Sequence, residues 1–376
     1  QTGSVPRPGL VPEVRVAPIA GRSLIDTFAL PNFEGRARAF LKVQDGCDFS
    51  CTFCATTLAR GKSRSLDLEE CADQAALLAR GGGRLAGSGP DRGGAGRNGQ
   101  DRSGHREIVL TGIHLGAYGR DLRPRATLSR LVGRILEAIG AAEASGAARV
   151  RLSSVEPGEV TRELVRVCAQ SAFGKKISSG SYVCRHFHIP VQSGDDGILG
   201  AMERNYTAGR CARRFEEIAR AVPGACLGAD FIAGFPGESE SAFERTMEWV
   251  REAPVSYLHV FPYSPREGTR AAQLPGRLHG SESRRRVRAL TELGRRKWAA
   301  FLASQAGAEA EVLFERRLED GRLTGLTDNY IRVAAEGPEE WIGEIVPMRL
   351  AAEAGGSVPG APGGPLRAQL AGVPAA

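Results

Sequence analysis

The stretch QDGCDFSCTFC, residues 44–54, holds three of the chain's eight cysteines within eight residues. A CxxxCxxC run offers three soft thiolates from one short loop, and three thiolates neither complete a tetrahedral zinc site nor pair off as disulfides. A 4Fe-4S cluster usually takes four cysteines, so a cluster held by three leaves one iron open to an exogenous ligand. The stretch therefore predicts an iron–sulfur site at which chemistry takes place.

Cys47, Cys51 and Cys54, with the aromatic Phe53 just before the last of them, resemble the cluster loop of the radical S-adenosylmethionine (SAM) superfamily. The resemblance implies that these cysteines are the cluster ligands, that the open iron chelates SAM, and that Phe53 packs near the adenine. An electron from the cluster would then cleave SAM to a 5'-deoxyadenosyl radical. The alternatives are a three-cysteine zinc knuckle completed by a distant histidine, or a chance grouping; no CxxC or HxxxH partner follows at finger spacing.

Composition places the chain among globular proteins with a basic balance. Its 376 residues are 42% hydrophobic, and no run of apolar residues approaches the length of a membrane span. The net charge of +7 favours a polyanionic partner such as nucleic acid, although a GC-rich coding bias explains the excess of arginine equally well. The other five cysteines lie far apart without ligand spacing, as in a reducing, cytoplasmic location. The chain starts with glutamine, so we expect a natural amino terminus to be missing.

Four segments of low complexity or distinct pattern define the expected domain organisation. Residues 1–35 are Pro-rich and predict a linker or the remnant of an amino-terminal domain. Residues 36–304 form the expected catalytic domain, interrupted at 81–106 by a Gly/Arg/Ser tract that predicts a disordered insertion, with an RNA-binding arm as the alternative. Residues 351–376, rich in Ala, Gly and Pro, predict a disordered tail.

An alternation of short apolar runs and amphipathic helices predicts the fold class, α/β with a partial (β/α)6 barrel. The runs are 39–43, 108–110, 150–152, 186–189, 227–233 and 257–261, and the helices between them include 128–139, 163–169, 211–221 and 242–250. Such units build a parallel sheet, open or curled into a barrel, whose ligand sits at the carboxyl ends of the strands. Five polar or Gly-rich loops follow these strands, at 111–116, 153–157, 190–194 (followed by the segment 202–207), 234–238 and 262–269.

These loops together resemble the methylthiotransferase branch of the radical SAM superfamily over about residues 36–350. The segments that carry the likeness are 44–47, 59–65, 151–157, 188–194 and 259–265. The segment 153–157 is most similar to members that act on threonylcarbamoyladenosine in tRNA, rather than on isopentenyladenosine or a ribosomal protein.

The family resemblance implies a set of SAM contacts in addition to the cluster loop. Gly112, Ser154, Gln192 and Arg204 would lie near SAM, with Arg204 as a partner for its carboxylate. For Gln192 and Arg204 the alternative is a hydrogen bond that only stabilises a loop. No catalytic side chain is implied beyond the cluster and SAM.

Two acidic residues in these loops are open to more than one interpretation. Glu156 and Glu238 could contact the ligand, cap a helix or be exposed to solvent.

The carboxyl-terminal part predicts a basic helix followed by a small all-β barrel. The helix covers 281–304, and the β pattern lies at 311–314, 322–326, 331–333 and 344–346. The β segment, 305–350, resembles the TRAM domain that grips RNA in tRNA-modifying enzymes; a β appendage that only packs on the larger barrel is the alternative. Candidate RNA contacts are Arg284, Arg285, Arg288 and Arg322, although a charge run on a helix is usually a solvated face.

The resemblance also implies a second 4Fe-4S cluster, in an amino-terminal domain with three cysteines of its own. One SAM would methylate a sulfur held at that cluster, and a second would yield the radical that removes hydrogen from carbon 2 of the adenine. No cysteine precedes Cys47, so this second cluster has no ligands in the chain. We therefore expect a fragment of a longer enzyme or a degenerate relative. Inserts at 83–104 and 173–180 are expected near the RNA path.

The sequence predicts a tRNA methylthiotransferase that adds a methylthio group to carbon 2 of N6-threonylcarbamoyladenosine next to the anticodon. Its expected partners are tRNA and an electron donor such as flavodoxin or ferredoxin, with no membrane association and a monomeric state. The alternatives are a sister enzyme acting on isopentenyladenosine tRNA or a ribosomal protein, and a non-catalytic RNA-binding relative in which the cysteines hold a structural metal.

Overall fold

The computed structural model describes residues 25, 36–80, 104–142, 148–172, 180–351 and 366–370. The expected linker at 1–35, apart from Ile25, lies outside the described residues, and so do 81–103 of the expected disordered insertion and 173–179 of the second insert.

The strands and helices follow the chain in the order that the apolar runs predict. The strands are β1 Arg38–Asp45, β2 Arg64–Ser65, β3 Glu107–Gly112, β4 Arg149–Leu152, β5 Tyr182–Val183, β6 His186–Gln192, β7 Cys226–Ala233, β8 Tyr257–Pro262, β9 Glu309–Arg317, β10 Leu323–Thr327, β11 Arg332–Ala335, β12 Ile345–Ala351 and β13 Leu366–Leu370. The helices are α1 Thr56–Arg60, α2 Leu68–Arg80, α3 Leu128–Ala141, α4 Arg162–Ala172, α5 Asp196–Ala201, α6 Ala208–Ala221, α7 Glu240–Glu252 and α8 Gly280–Gln305.

Parallel pairing builds the larger domain as two sheets joined along one seam. The first sheet has the order β2-β1-β3-β4-β5 and the second β6-β7-β8, and every neighbouring pair is parallel except β1 with β2. At the seam, the backbone N–H of Val155, just after β4, donates to the carbonyl of His188 in β6 at 3.0 Å. The six long strands therefore lie side by side in chain order, and the predicted partial (β/α)6 barrel is confirmed.

Side chains alternate between two faces along the last three of these strands, apart from an irregularity in β6 between Ile189 and Gln192. On β6, Phe187, Ile189 and Val191 belong to the hydrophobic core beneath the helices, whereas His186 and His188 point to the opposite face. The same alternation places Leu227, Ala229 and Phe231 of β7 in that core, and Asp230 on the opposite face beside the apolar Ile232. Successive side chains of a strand point to opposite faces, so His186, His188, Asp230 and His259 lie together on the lumen side of the barrel.

Helix starts follow local capping chemistry. Thr127, Asp195, Thr207 and Ser239 each accept a hydrogen bond from a backbone N–H of the helix that follows, at α3, α5, α6 and α7. Such a cap satisfies one of the orphan donors of the first turn and contributes about 1 kcal/mol. These helices begin just after the loops at the barrel rim, so the caps also fix where those loops end.

The carboxyl-terminal strands form a closed barrel in the order β10-β11-β13-β12-β9. Its core contains Val312, Phe314, Ile331 and Met348. The predicted small all-β barrel is confirmed.

The prediction of a disordered tail over 351–376 is wrong at Leu366–Leu370, which form β13 and pair with both β11 and β12. Closure satisfies the backbone groups of two strands that would otherwise be edges. The Ala/Gly/Pro composition around this strand conceals it in the sequence.

A buried ion network joins the two barrels. Glu107 on β3 accepts from Arg149 and Arg151 on β4, at 2.6 and 2.7 Å. The same two guanidinium groups donate to backbone carbonyls of the small barrel, those of Leu326 and Thr327. The amino-terminal end of the large barrel is therefore closed by the small one.

None of the helices in the described part of the chain combines the length and apolarity needed to cross a membrane.

Candidate active site

The cysteine loop begins where β1 ends and is held by a tight turn at Gly46. This residue has φ +74°, and a Cβ placed there would lie 2.0 Å from the carbonyl oxygen of Lys62. The next residue, Cys47, donates its backbone N–H to the carbonyl of Gly61 at 3.0 Å. The loop therefore folds back on the segment 61–62, and only glycine permits that approach.

Gln44, a fully buried side chain near the end of β1, connects this loop to its neighbours. Its Nε2 donates to the carbonyl of Gly46 at 2.7 Å and to Ser63 Oγ at 2.9 Å, and its Oε1 accepts from the backbone N–H of His114 at 2.7 Å. One amide thus connects the cysteine loop, the basic turn after α1 and the loop after β3. Gln44 is part of the sequence motif, but its role in connecting these loops can be recognised only from the fold.

His114 lies beneath the first thiol. Its Nδ1 is 3.5 Å from Cys47 Sγ and its Nε2 is 2.9 Å from Glu159, while its ring packs against Phe49 at 4.3 Å. Burial alone would lower the pKa of His114, but the hydrogen bonds with Cys47 and Glu159 outweigh it and raise the pKa to about 9. A positively charged imidazole therefore faces the Cys47 thiol.

Arg204 places a positive charge beside the second thiol, as His114 does beside the first. Its guanidinium donates to Cys51 Sγ at 2.9 Å and to Tyr206 Oη at 2.7 Å, and it forms an ion pair with Glu156. Burial raises the pKa of Cys51, and the charge and hydrogen bond of Arg204 act against that rise. Cations next to sulfur favour the thiolate, which is the form that binds metal.

The third thiol stands beside an open cavity. Cys54 Sγ lies 3.0 Å from Thr56 Oγ1, and the cavity of about 390 Å³ is lined by Phe53, Cys54, Ala55, Thr56, Ala59 and Arg266. The aromatic ring before the last cysteine is therefore part of a wall that a flat ligand could contact.

The donor set fits an iron–sulfur cluster better than a single ion. Cys47, Cys51 and Cys54 are all free and half-buried. They do not form a group whose ligand atoms lie within 4.8 Å of one another, a spacing that His188, Asp230 and His259 alone satisfy among the described residues. Thiols around one zinc ion are separated by roughly 4 Å, as bond lengths near 2.3 Å require. Wider spacing suits a cluster, which presents a different iron to each thiol.

The structure brings some predicted SAM contacts to the same rim and shows their present partners. Gly112 lies against Gln44, where a Cβ would be 2.9 Å from its Oε1. Ser154 is exposed, and Gln192 is half-buried with φ +71° at the end of β6. Arg204 is engaged by Glu156, Tyr206 and Cys51, which leaves its predicted partnership with a SAM carboxylate as a proposal.

Glu156 and Glu238 are held by arginines rather than by helix ends or solvent. Burial raises the pKa of Glu156 to about 7, against the opposing effect of Arg204. Glu238 is buried, accepts from the backbone N–H of Gly234 at 2.8 Å, and pairs with Arg286 at 2.8 Å. Capping and solvent exposure are therefore wrong for Glu238, because its partner on α8 comes from a distant part of the chain.

The arginines that are candidate RNA contacts differ in whether an acidic side chain holds them. Arg284 and Arg288 are exposed on α8. Arg285 is also exposed but pairs with Glu240 and Glu282 at 2.7 Å, and Arg322 pairs with Asp320.

Sequence analysis assigned no role to four side chains around the cysteine loop, because each acts through tertiary contacts and carries no spacing signal. They are Gln44, His114, Glu159 and Tyr206.

Curated relatives cover most of the described chain, whereas no family model matches it. The threonylcarbamoyladenosine tRNA methylthiotransferase MtaB of Bacillus subtilis (strain 168) is 34% identical over 328 residues, 85% of this chain and 64% of the relative. The protein of the same name from Aquifex aeolicus (strain VF5) is 36% identical over 318 residues, 84% of this chain and 65% of that protein. The chain is similar to these methylthiotransferases over most of its length.

A relative with another substrate in its name is also similar. The tRNA-2-methylthio-N(6)-dimethylallyladenosine synthase of Symbiobacterium thermophilum is 32% identical over 321 residues, 84% of this chain and 61% of that protein. The chain spans somewhat less than two thirds of the length of each of these three relatives. The predicted resemblance to methylthiotransferases is thus confirmed, and the activity and the substrate of this chain are matters of proposal.

Proposed function

We propose that this chain carries a radical SAM centre and acts on the adenine of N6-threonylcarbamoyladenosine in tRNA, in a reaction that adds a methylthio group at carbon 2. The observation that carries the proposal is the loop of Cys47, Cys51 and Cys54 at the carboxyl ends of the strands, with a cation beside each of the first two thiols. Chains matched over 84–85% of this one bear that activity in their names.

Each group at the rim has a defined task in this proposal. The cluster and SAM, when bound, supply a 5'-deoxyadenosyl radical that takes hydrogen from the inert ring carbon. His114 and Arg204 stabilise the thiolates of Cys47 and Cys51, and Gln44 keeps the loop in register. Phe53 offers the cavity wall on which the adenine of SAM can pack. Tight positioning matters because hydrogen transfer needs reacting atoms held within about 3–3.5 Å.

The RNA is proposed to contact exposed arginines outside the rim. Arg284 and Arg288 are exposed on α8, whereas Arg285 and Arg286 pair with Glu240 and Glu238. Arginine beside a phosphate backbone gives affinity without sequence specificity. We propose that the electron comes from a small reductant such as flavodoxin or ferredoxin and that the chain is a monomer.

A second candidate substrate is isopentenyladenosine in tRNA, favoured by the relative that is 32% identical and named for the dimethylallyl substrate. The two substrates share the adenine ring and differ in the N6 substituent. A polar, charged substituent and an apolar one require different pockets, so one experiment separates them.

The test uses tRNA with deuterium at carbon 2 of the target adenosine. The chain, reconstituted anaerobically and supplied with SAM and dithionite, should transfer deuterium to 5'-deoxyadenosine with threonylcarbamoyl-modified tRNA and not with unmodified tRNA. This assay detects the abstraction of hydrogen from carbon 2 and does not depend on the insertion of sulfur. Transfer only with isopentenyl-modified tRNA would establish the second candidate, and no transfer from either tRNA despite cleavage of SAM would overturn the substrate proposal.

A further inference from the structure

A second constellation of ligand-type side chains lies in the barrel lumen, on β6, β7 and β8. His188, Asp230 and His259 point to the same face, opposite the helix-packed side chains. Asp230 and His259 are direct partners in the β7–β8 register, and His188 pairs with Gly228, two residues before Asp230. Adjacent strands of one sheet thus supply two imidazoles and one carboxylate at neighbouring positions.

The separations match those of ligands around one ion. His188 Nε2 lies 2.8 Å and His259 Nδ1 lies 3.3 Å from Asp230 Oδ1, and the three ligand atoms are all within 4.8 Å of one another. Bonds of about 2.0–2.1 Å at tetrahedral angles place two ligand atoms roughly 3.3 Å apart. Small side-chain shifts therefore suffice to admit an ion between them.

Neighbouring groups hold the inner histidine in position. Tyr257 Oη lies 2.9 Å from His188 Nδ1 and 2.9 Å from His186 Nε2. Room for the Tyr257 ring exists because residue 228 is glycine; a Cβ there would lie 2.2 Å from Tyr257 Cζ. A partner on the second ring nitrogen fixes which nitrogen faces the ion, as it does for metal-bound histidines in general.

The constellation is closed on one side and accessible on the other. Side-chain exposure rises from 9% at His188 to 21% at Asp230 and 37% at His259. Asp230 lies three residues before the end of β7, just beneath the rim. An ion could enter from the lumen, and a fourth position would remain for water or a ligand, as in zinc sites with three protein ligands.

We propose that His188, Asp230 and His259 bind one divalent first-row transition-metal ion in the lumen, separately from the cysteine loop. Two imidazoles and one carboxylate are a set that binds zinc or ferrous iron, and zinc serves as the probe. This site is independent of the proposed methylthiotransferase activity, since none of its ligands belongs to the cluster loop. The alternative interpretation is that these three side chains form a hydrogen-bonded network without a metal ion.

The test measures zinc binding to a chain in which Cys47, Cys51 and Cys54 are all replaced by alanine. Removing the thiols prevents the cluster loop from taking the ion. Dialysis against chelator-buffered Zn²⁺ followed by elemental analysis should give one zinc per chain. Asp230→Asn or His259→Gln should weaken binding at least 100-fold, and Tyr257→Phe about 10- to 100-fold, as for outer-shell partners.

Three further measurements keep the result interpretable. His279→Gln, which removes an exposed histidine at the start of α8, is the matched control and should bind zinc like its parent. Co²⁺ in place of Zn²⁺ should give a visible ligand-field spectrum that changes in His259→Gln, in a chain whose circular dichroism is unchanged. The wild-type chain with its cluster should hold the same zinc in addition to its iron.

Absence of bound zinc in the variant that lacks the three loop cysteines and in the reconstituted wild type would overturn the proposal and leave the hydrogen-bonded network. Equal binding by the Asp230→Asn and His259→Gln variants would also overturn it, because the ion would then lie elsewhere.

Discussion

At the scale of single residues, Gly46 carries the sharpest constraint on the cluster loop. Its positive φ and the 2.0 Å approach of a Cβ to Lys62 O leave no room for a side chain. Gly46→Ala should lower the free energy of unfolding by more than about 1 kcal/mol and displace Cys47, because both the backbone and the neighbouring carbonyl must move. Urea unfolding and iron content after reconstitution measure the two effects.

The control for this substitution is Gly133→Ala within α3, where a Cβ meets nothing within 4 Å. Alanine in a helix interior is better than glycine by about 0.5–1 kcal/mol, so this variant should be more stable and keep its iron. If Gly46→Ala behaved like Gly133→Ala, the turn would not constrain the loop.

At the scale of elements, ion pairs of Glu107 on β3 join this strand to β4. It is fully buried between Arg149 and Arg151, and removing one partner of a buried ion pair costs about 3–5 kcal/mol. Burial alone would raise the pKa of Glu107, but the two arginines outweigh it and hold the pKa well below its usual value of 4.5. Glu107→Gln should therefore destabilise the chain by about that amount at neutral pH.

The sign of the pH dependence follows from the direction of this shift. A carboxylate with a lowered pKa in the folded state stabilises above its unfolded value, and its contribution fades as the pH falls below about 4.5. The difference in stability between wild type and Glu107→Gln should narrow over that acidic range. Glu69→Gln, in an exposed pair with Arg134, is the control and should change stability by less than about 1 kcal/mol at any pH. A difference that does not depend on pH would contradict the assigned charge.

The strands and their order could be predicted because apolar residues mark the helix-facing side of each one. The polar groups of the lumen are harder to predict: His186 and His188 alternate with Phe187 and Ile189, and a segment this short predicts only an apolar strand. The ligand loop was found because its spacing is local. The partnership of Glu238 with Arg286 could not be found, since 48 residues separate them and only the packing of α8 joins them.

At the scale of the whole molecule, the small barrel is fixed to the large one. Arg185, at the start of β6, pairs with Asp328 at 2.6 Å, and Tyr257 and Trp298 of the large domain share a core with Phe314 and Val333 of the small barrel. We expect both barrels to unfold in one transition. Asp328→Ala leaves Arg185 without its carboxylate and should allow the small barrel to unfold first.

Tryptophan fluorescence in urea can observe the two barrels separately. Trp249 lies on α7 of the large domain and Trp341 packs on Phe314 in the small barrel, so single-tryptophan variants report on each. Asp320→Ala, in an exposed turn of the same barrel, is the control and should leave the transitions coincident. Two separate transitions in the wild type would show that the barrels are independent.

The central claim is a radical SAM centre on Cys47, Cys51 and Cys54, and its most direct test is anaerobic reconstitution with measurement of iron, sulfide and 5'-deoxyadenosine. The chain should hold about four iron and four sulfide per molecule, and dithionite should drive cleavage of SAM. Cys51→Ala should lose cleavage, whereas Cys168→Ala, at a buried cysteine of α4, should retain it. A wild-type chain without iron that forms no 5'-deoxyadenosine would contradict the claim, whatever zinc it carries.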